Sequence, residues 1–116
     1  MTGDPRAVLD HVTRVRGIRG SMLVAESDGL VVAESLMEGM DGAPAAALAA
    51  SLAGRLRRAM ASAGFRAPAF LQLRAERGLV LAVPAGEDLL LVAVADRDAN
   101  LGLARLELRA AAEALG

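Results

Sequence analysis

The sequence lacks cysteine, lysine, tryptophan and tyrosine, and its only aromatic residues are Phe65 and Phe70. Without cysteine, a disulfide framework and a thiolate metal site are both excluded. Two aromatic residues cannot form an extended stacking platform for bases, which counts against single-stranded nucleic-acid binding. The 13 basic residues, all arginine, nearly balance 14 acidic residues and leave a net charge of −1. Because no overall positive field attracts DNA or anionic lipid, we expect no nucleic-acid partner.

Targeting and membrane signals are also missing from the sequence. The N-terminal stretch MTGDPRAVLDHV contains no basic segment followed by an apolar run, so no signal peptide is visible. The longest run of low polarity, residues 42–54, is too short and too rich in alanine to cross a bilayer. We therefore expect no membrane insertion and a cytoplasmic location.

What the chain does contain is enough apolar material for one core. Its 116 residues suit a single domain spanning 1–116, and 54% of them are hydrophobic. Asp4-Pro5 favours a helix start, since aspartate caps helices and proline suits the first turn. The first helix is expected to end near Gly17, with its apolar stripe formed by Val8, Leu9, Val12 and Val15.

The segment VAESDGLVVAES, residues 24–35, predicts a β-hairpin. Asp28-Gly29 separates two apolar runs, 21–27 and 30–35, and this dipeptide favours a two-residue type I′ turn. That turn would pair Ala25 with Val32 and Val24 with Ala33. Both faces of the hairpin carry apolar residues, so we expect both faces of the sheet to be covered.

The remaining pattern predicts a helix over 43–63, strands over 70–75, 79–83 and 89–95, and a last helix over 101–115. Leu71 and Leu73 alternate with polar residues, which is typical of an edge strand. DLLLVAVAD, residues 88–96, indicates a central strand buried on both faces. The predicted element order is α-β-β-α-β-β-β-α, an α/β (α+β) fold.

No convergent catalytic set is visible in the sequence. His11 is the only histidine, and the sequence contains neither a GxGxxG nor a Walker-type phosphate motif. Asp96, Asp98 and Asn100 alternate before the last helix, where helix capping explains them more simply than a cation site. We expect no catalytic residue, no metal and no cofactor.

The middle helix is unusual because both of its faces are apolar. Leu48, Leu52, Leu56 and Met60 form one ridge, which we expect to be the core face. The opposite face is expected to carry only small residues before its two arginines: Ala46, Ala47, Ala50, Gly54, Arg57, Arg58 and Ala61. An alanine-rich sequence without further meaning could produce this face. The preferred interpretation is a contact with a second subunit, used twice around a two-fold axis.

The chain resembles the roadblock/dynein light-chain domain family, of the bacterial type related to the gliding-motility GTPase regulator. The resemblance covers nearly the whole chain. It rests on GIRGSMLVAESDGLVVAES after the first helix, on the long second helix, and on ADRDANLGLARLELRAAAEAL at the end. It implies a single five-stranded antiparallel sheet flanked by helices, similar to profilin and longin domains.

The resemblance also implies a role. Family members dimerise through the second helix and third strand and serve as platforms for small Ras-like GTPases, in some cases raising GTP hydrolysis. On this sequence the implied dimer and partner interface comprises Ala46, Ala50, Gly54, Arg57, Arg58, Ala61, Phe70, Gln72 and Arg74. We expect a homodimeric, non-enzymatic regulator or scaffold. The alternatives are a structural subunit without a GTPase partner and, with less support, a small-molecule sensor.

Overall fold

The computed structural model describes residues 4–115 and contains three helices and five strands within that range. The elements are α1 (Pro5–Thr13), β1 (Ile18–Ala25), β2 (Val31–Leu36), α2 (Ala43–Ser62), β3 (Leu71–Arg74), β4 (Leu79–Pro84), β5 (Leu89–Ala95) and α3 (Leu101–Leu115). This order confirms the predicted α-β-β-α-β-β-β-α sequence. Residues 1–3 and Gly116, which the single-domain prediction of 1–116 includes, lie outside the described residues.

The five strands form one antiparallel sheet in the order β2-β1-β5-β4-β3. Strand β5 is central, as the continuous apolar run predicted, and Leu90 to Ala93 are all buried. Strand β3 is at one edge, also as predicted, and β2 is at the other. The two edges matter for function because an edge strand carries unpaired backbone N–H and C=O groups.

Helices cover both faces of the sheet, as the two-sided apolar pattern of the hairpin predicted. On one face, α1 and α3 bury a core that includes Leu9, Leu81, Leu91 and Leu108. On the other face, α2 buries a second core with Met22, Val24 and Val92. The protein is therefore a three-layer α/β/α sandwich in which α2 alone covers one side.

The predicted hairpin register is wrong, by one residue at Leu23 and by two residues at Val24. Leu23 pairs with Ala33 and Val24 pairs with Val31, so Val32 is an extra residue in β2 that forms a bulge. The turn is also longer than the predicted type I′ turn: Ala25 N donates to Leu30 O, and Gly29 N donates to Ala25 O. Of the two central residues, only Gly29 has a positive φ, at 76°.

The predicted core face of α2 is wrong, because the helix packs its small residues on the sheet. Ala46, Ala49, Ala50 and Ala53 are 0–7% exposed, whereas Leu48 is 47% and Leu56 is 38% exposed. Alanine and glycine let the helix axis approach the sheet closely, where leucines would hold it further away. The leucine ridge that the sequence placed inside is therefore available at the surface.

Candidate functional site

Three of the predicted interface residues, Ala46, Ala50 and Gly54, lie on the buried face of α2. All three are buried beneath α2, against the sheet and the β1–β2 turn. Ala61 is exposed, but at 100° per residue it lies on the opposite side of the helix from Leu52. The small-residue face that was assigned to a second subunit is thus occupied within the chain, mainly by the protein's own sheet.

The exposed leucines of α2 form a stripe that leads to the β3 edge. Leu48, Leu52 and Leu56 are four residues apart and therefore share one flank of the helix. An apolar groove of about 120 Å³ lies between this flank and the sheet, lined by Leu52, Leu56, Leu71 and Leu73 among others. We call Leu48, Leu52, Leu56 and β3 the leucine flank.

Strand β3 itself presents the polar residues that the sequence singled out. Gln72 and Arg74 are exposed and alternate with the half-buried Leu71 and Leu73. Phe70, just before the strand, packs against the core on the α1–α3 side. The guanidinium carbon of Arg105 lies 4.6 Å from the centre of the Phe70 ring, a cation–π contact that ties α3 to this edge.

Arg57 and Arg58, which the sequence assigned to a partner surface, differ in their surroundings. Arg57 turns toward the sheet, where its Nε and Nη2 donate to Glu26 Oε1 at 2.9 and 2.6 Å. The Glu26 side chain is only 15% exposed, so this pair stabilises the end of β1 against α2. Arg58 is exposed and lies over Gly54: a Cβ at residue 54 would be 3.3 Å from Arg58 Nη1.

A polar cleft of about 300 Å³ lies on the other flank of α2, between that helix and the β1–β2 turn. The helix contributes Ser51, Gly54, Arg55 and Arg58, and the turn contributes residues 26–29. The two flanks therefore differ in chemistry, with leucines toward β3 and arginines toward the β1–β2 turn.

Asp88, which was not among the predicted site residues, holds the turn side of this cleft in place. Its Oδ1 accepts from Ser27 N at 3.0 Å, its Oδ2 accepts from Ser27 Oγ at 2.9 Å, and its backbone O accepts from Glu26 N. It is also the one non-glycine among residues 4–115 with a positive φ, at 56°. The sequence signal was present, since aspartate after Gly86-Glu87 is a residue that tolerates this conformation.

Three other polar residues that the sequence analysis singled out have structural partners. Asn100 Oδ1 accepts from Leu103 N at 3.0 Å and caps α3, as predicted. Asp96 lies 3.3 Å from Arg19. His11 Nε2 lies 3.0 Å from Glu107 Oε2 and joins α1 to α3 at the surface. These contacts give each of the three residues a structural role, so their presence does not require a catalytic or metal-binding one.

The chain thus forms a small three-layer domain with a free β3 edge beside an exposed leucine stripe. The family model of the Roadblock/LC7 domain matches residues 6–95. This chain belongs to the Roadblock/LC7 domain family, which is a regulatory or scaffold family. Two uncharacterized proteins of Methanocaldococcus jannaschii are 37% and 36% identical over 106 residues, covering 91% of this chain and 91% of each relative.

Solved structures agree with this assignment. A structure described as MglB with tetrameric arrangement is 29% identical, has a TM-score of 0.84, and covers 99% of this chain and 90% of its own. The gliding protein MglB of Thermus thermophilus is 28% identical with a TM-score of 0.83, at the same coverage. A Roadblock/LC7 domain of Streptomyces avermitilis, 21% identical with a TM-score of 0.83, shares the fold and covers 96% of this chain and 93% of its own.

None of the helices among residues 4–115 is both long enough and apolar enough to cross a membrane.

Proposed function

We propose that this protein is a cytoplasmic, non-enzymatic homodimer that binds a small Ras-like GTPase and modulates its GTP hydrolysis. The carrying observation is the leucine flank, an exposed apolar stripe continuous with an unpaired strand. Membership of the Roadblock/LC7 family supports the proposal, as do the two MglB structures at 28–29% identity. The gliding-motility type is the one that the sequence resemblance pointed to.

Burial of the leucine flank supplies the driving force for self-association. Leu48 and Leu56 expose large fractions of their side chains, and fully burying one leucine is favourable by roughly 1.5–3 kcal/mol. Neighbouring Leu52, Leu71 and Leu73 are half-buried and enlarge the patch. A second copy presenting the same surface would cover all of these residues at once.

The free edge of β3 gives the dimer its geometry. Two copies of β3 related by a two-fold axis would pair antiparallel and join two sheets into one of ten strands. An axis perpendicular to the sheet reverses every direction in the plane of the sheet, so the two α2 helices would run antiparallel. Leu52 and Leu56 of one copy would then meet the same residues of the other.

The surfaces left for a GTPase are those that the dimer contact does not use. Arg58 and, through its exposed part, Arg57 remain candidates for contacts with an acidic partner surface, although Arg57 already binds Glu26. Gln72 and Arg74 would lie at the rim of the joined sheets. Phe70 would act through the position of the β3 edge rather than by direct contact, because it packs on the core.

The direct test combines this protein with the small Ras-like GTPase encoded nearest to its gene. We expect the wild type to bind the GTP-loaded GTPase and to change the rate of phosphate release. Leu48→Glu/Leu56→Glu should lose this effect because it breaks the dimer. Leu103→Glu/Leu106→Glu is the matched control, since these leucines are 42% and 65% exposed on α3, across the sheet from α2.

Two results would count against the proposal. The first is no binding and no change in hydrolysis with the wild type. The second is recovery, from cells, of a stable complex that contains other subunits but no GTPase, which would favour the structural-subunit alternative.

A further inference from the structure

The polar cleft between α2 and the β1–β2 turn has the construction of a small anion site. Its volume of about 300 Å³ is at the lower end of the range for small-ligand sites. One end is closed where Gly29 approaches the helix: a Cβ there would be 3.5 Å from Ala47 Cα and 3.7 Å from Ala50 Cβ. Arg55 and Arg58 also line the cleft.

The charges in the cleft favour an anion. Two carboxylates line the cleft, Glu26 and Asp28, and Arg57 neutralises Glu26 through two hydrogen bonds to one oxygen. Arg55 and Arg58 lie three residues apart on the same side of α2, and neither has a carboxylate within 4.0 Å among residues 4–115. Guanidinium groups present forked N–H donors that match phosphate and carboxylate oxygens.

Arg58 reaches the cleft by lying over Gly54. Its Nη1 is 3.3 Å from the position of a Cβ added to residue 54, so the guanidinium lies close above the helix backbone. Arg58 thus lines the cleft while its side chain remains exposed to an incoming ligand.

We infer that this cleft binds a small polyanion, with a phosphoryl or carboxylate group held between Arg55 and Arg58. Ser51, one turn before Arg55, adds a hydroxyl to the same wall. Asp28 at the turn is the opposing charge; its Oδ1 accepts from Leu30 N, which keeps the carboxylate at the cleft. The cleft lies on the side of α2 that faces the β1–β2 turn, and no residue of the leucine flank lines it. The proposed site therefore does not require the proposed dimer or GTPase.

Titration followed by amide NMR shifts tests this site, using pyrophosphate as the phosphoryl probe and citrate as the carboxylate probe at constant ionic strength. We expect saturable shifts in residues 26–29 and 51–58. Arg58→Gln and Arg55→Gln should each weaken binding by about tenfold, since each removes a charge-assisted hydrogen bond. Asp28→Asn keeps the oxygen that accepts from Leu30 N, removes the opposing charge, and should strengthen binding.

Arg14→Gln is the matched control, because Arg14 is exposed beside α1 on the opposite face of the sheet. This variant should bind both probes with the affinity of the wild type. Tighter binding of pyrophosphate or of citrate identifies the source of the oxyanion, and either result supports the site. The inference is overturned if neither probe shifts these amides, or if Arg55→Gln/Arg58→Gln binds as tightly as the wild type. Neither outcome bears on dimer formation or on GTP hydrolysis, so failure here leaves the proposed function to its own test.

Discussion

Replacing Gly54 with alanine should stabilise the protein, although the residue is buried. Alanine is favoured over glycine in a helix interior by about 0.8–1.0 kcal/mol. Gly54 is not among the residues with positive φ, so the backbone accepts a side chain without strain. The added Cβ would be 4.0 Å from Glu26 Oε1, an ordinary contact, and 3.3 Å from Arg58 Nη1, the flexible end of a long side chain.

The net effect follows from these terms. A shift of a few tenths of an ångström at the Arg58 tip offsets only part of the helix gain, so we expect stabilisation by roughly 0.5–1 kcal/mol. For a domain of this size that corresponds to a rise in Tm of about 2–6 °C. Urea denaturation of wild type and variant at the same protein concentration gives the difference in unfolding free energy, because the stability of a self-associating protein depends on its concentration.

Two further glycine variants make this prediction refutable. Gly54→Arg should destabilise the fold, because a long side chain at residue 54 must displace the Arg58 guanidinium above it and places another charge beside the Arg57–Glu26 pair. Gly29→Ala should destabilise by about 1 kcal/mol, since φ is +76° at that turn. If Gly54→Ala lowers the free energy of unfolding, or if Gly54→Arg leaves it unchanged, residue 54 does not lie where the structure places it.

Five other substitutions test the contacts around the site and the core by the same denaturation assay. Arg57→Ala leaves the mostly buried carboxylate beneath α2 without its partner and should cost roughly 1 kcal/mol; no loss would mean that the pair is not structural. Asp88→Ala should cost about 1–2 kcal/mol by removing both bonds to Ser27, and Asp88→Gly should cost less because glycine tolerates φ +56°; equal losses would exclude backbone strain. Leu108→Ala, at 0% exposure, should cost roughly 2–5 kcal/mol, whereas Leu106→Ala, at 65%, should change stability by less than about 0.5 kcal/mol.

Much of the fold could be predicted from local pattern. The element order, the central position of β5 and the edge position of β3 all followed from the length and periodicity of apolar runs. Asp4 caps α1 as expected, with Oδ1 accepting from Arg6 N at 3.3 Å. These features depend on the sequence of each segment itself, so the local pattern was sufficient to predict them.

The orientation of α2 could not be predicted because both of its faces are apolar. Periodicity finds a face by contrast between apolar and polar residues, and here the contrast lies between leucine and alanine. The prediction took the leucines as the core face because they offer the larger apolar area to bury. In the structure, close approach to the sheet decides it, so Ala46 and Ala50 are inside while Leu48 is outside. Gly54 lies on the same buried face, so three residues predicted at an interface are in contact with the protein's own chain.

The hairpin prediction failed for a different reason. Asp28-Gly29 is a strong signal for a two-residue turn, but tertiary bonds from Asp88 hold Ser27 and Glu26 in a longer one. Beside the turn the register therefore differs from the predicted one by two residues, and beyond the bulge at Val32 it differs by one. A contact between residues 61 positions apart in sequence cannot be seen in the local pattern.

The mass of the protein in solution tests the central claim most directly. Light scattering after size exclusion should give the wild type twice the 11.9 kDa of one chain. Leu48→Glu/Leu56→Glu should reduce this to one chain, while the matched variant Leu103→Glu/Leu106→Glu on α3 should retain two. A monomeric wild type, or a double leucine variant on α2 that remains dimeric, would contradict the assignment of the leucine flank as the subunit interface.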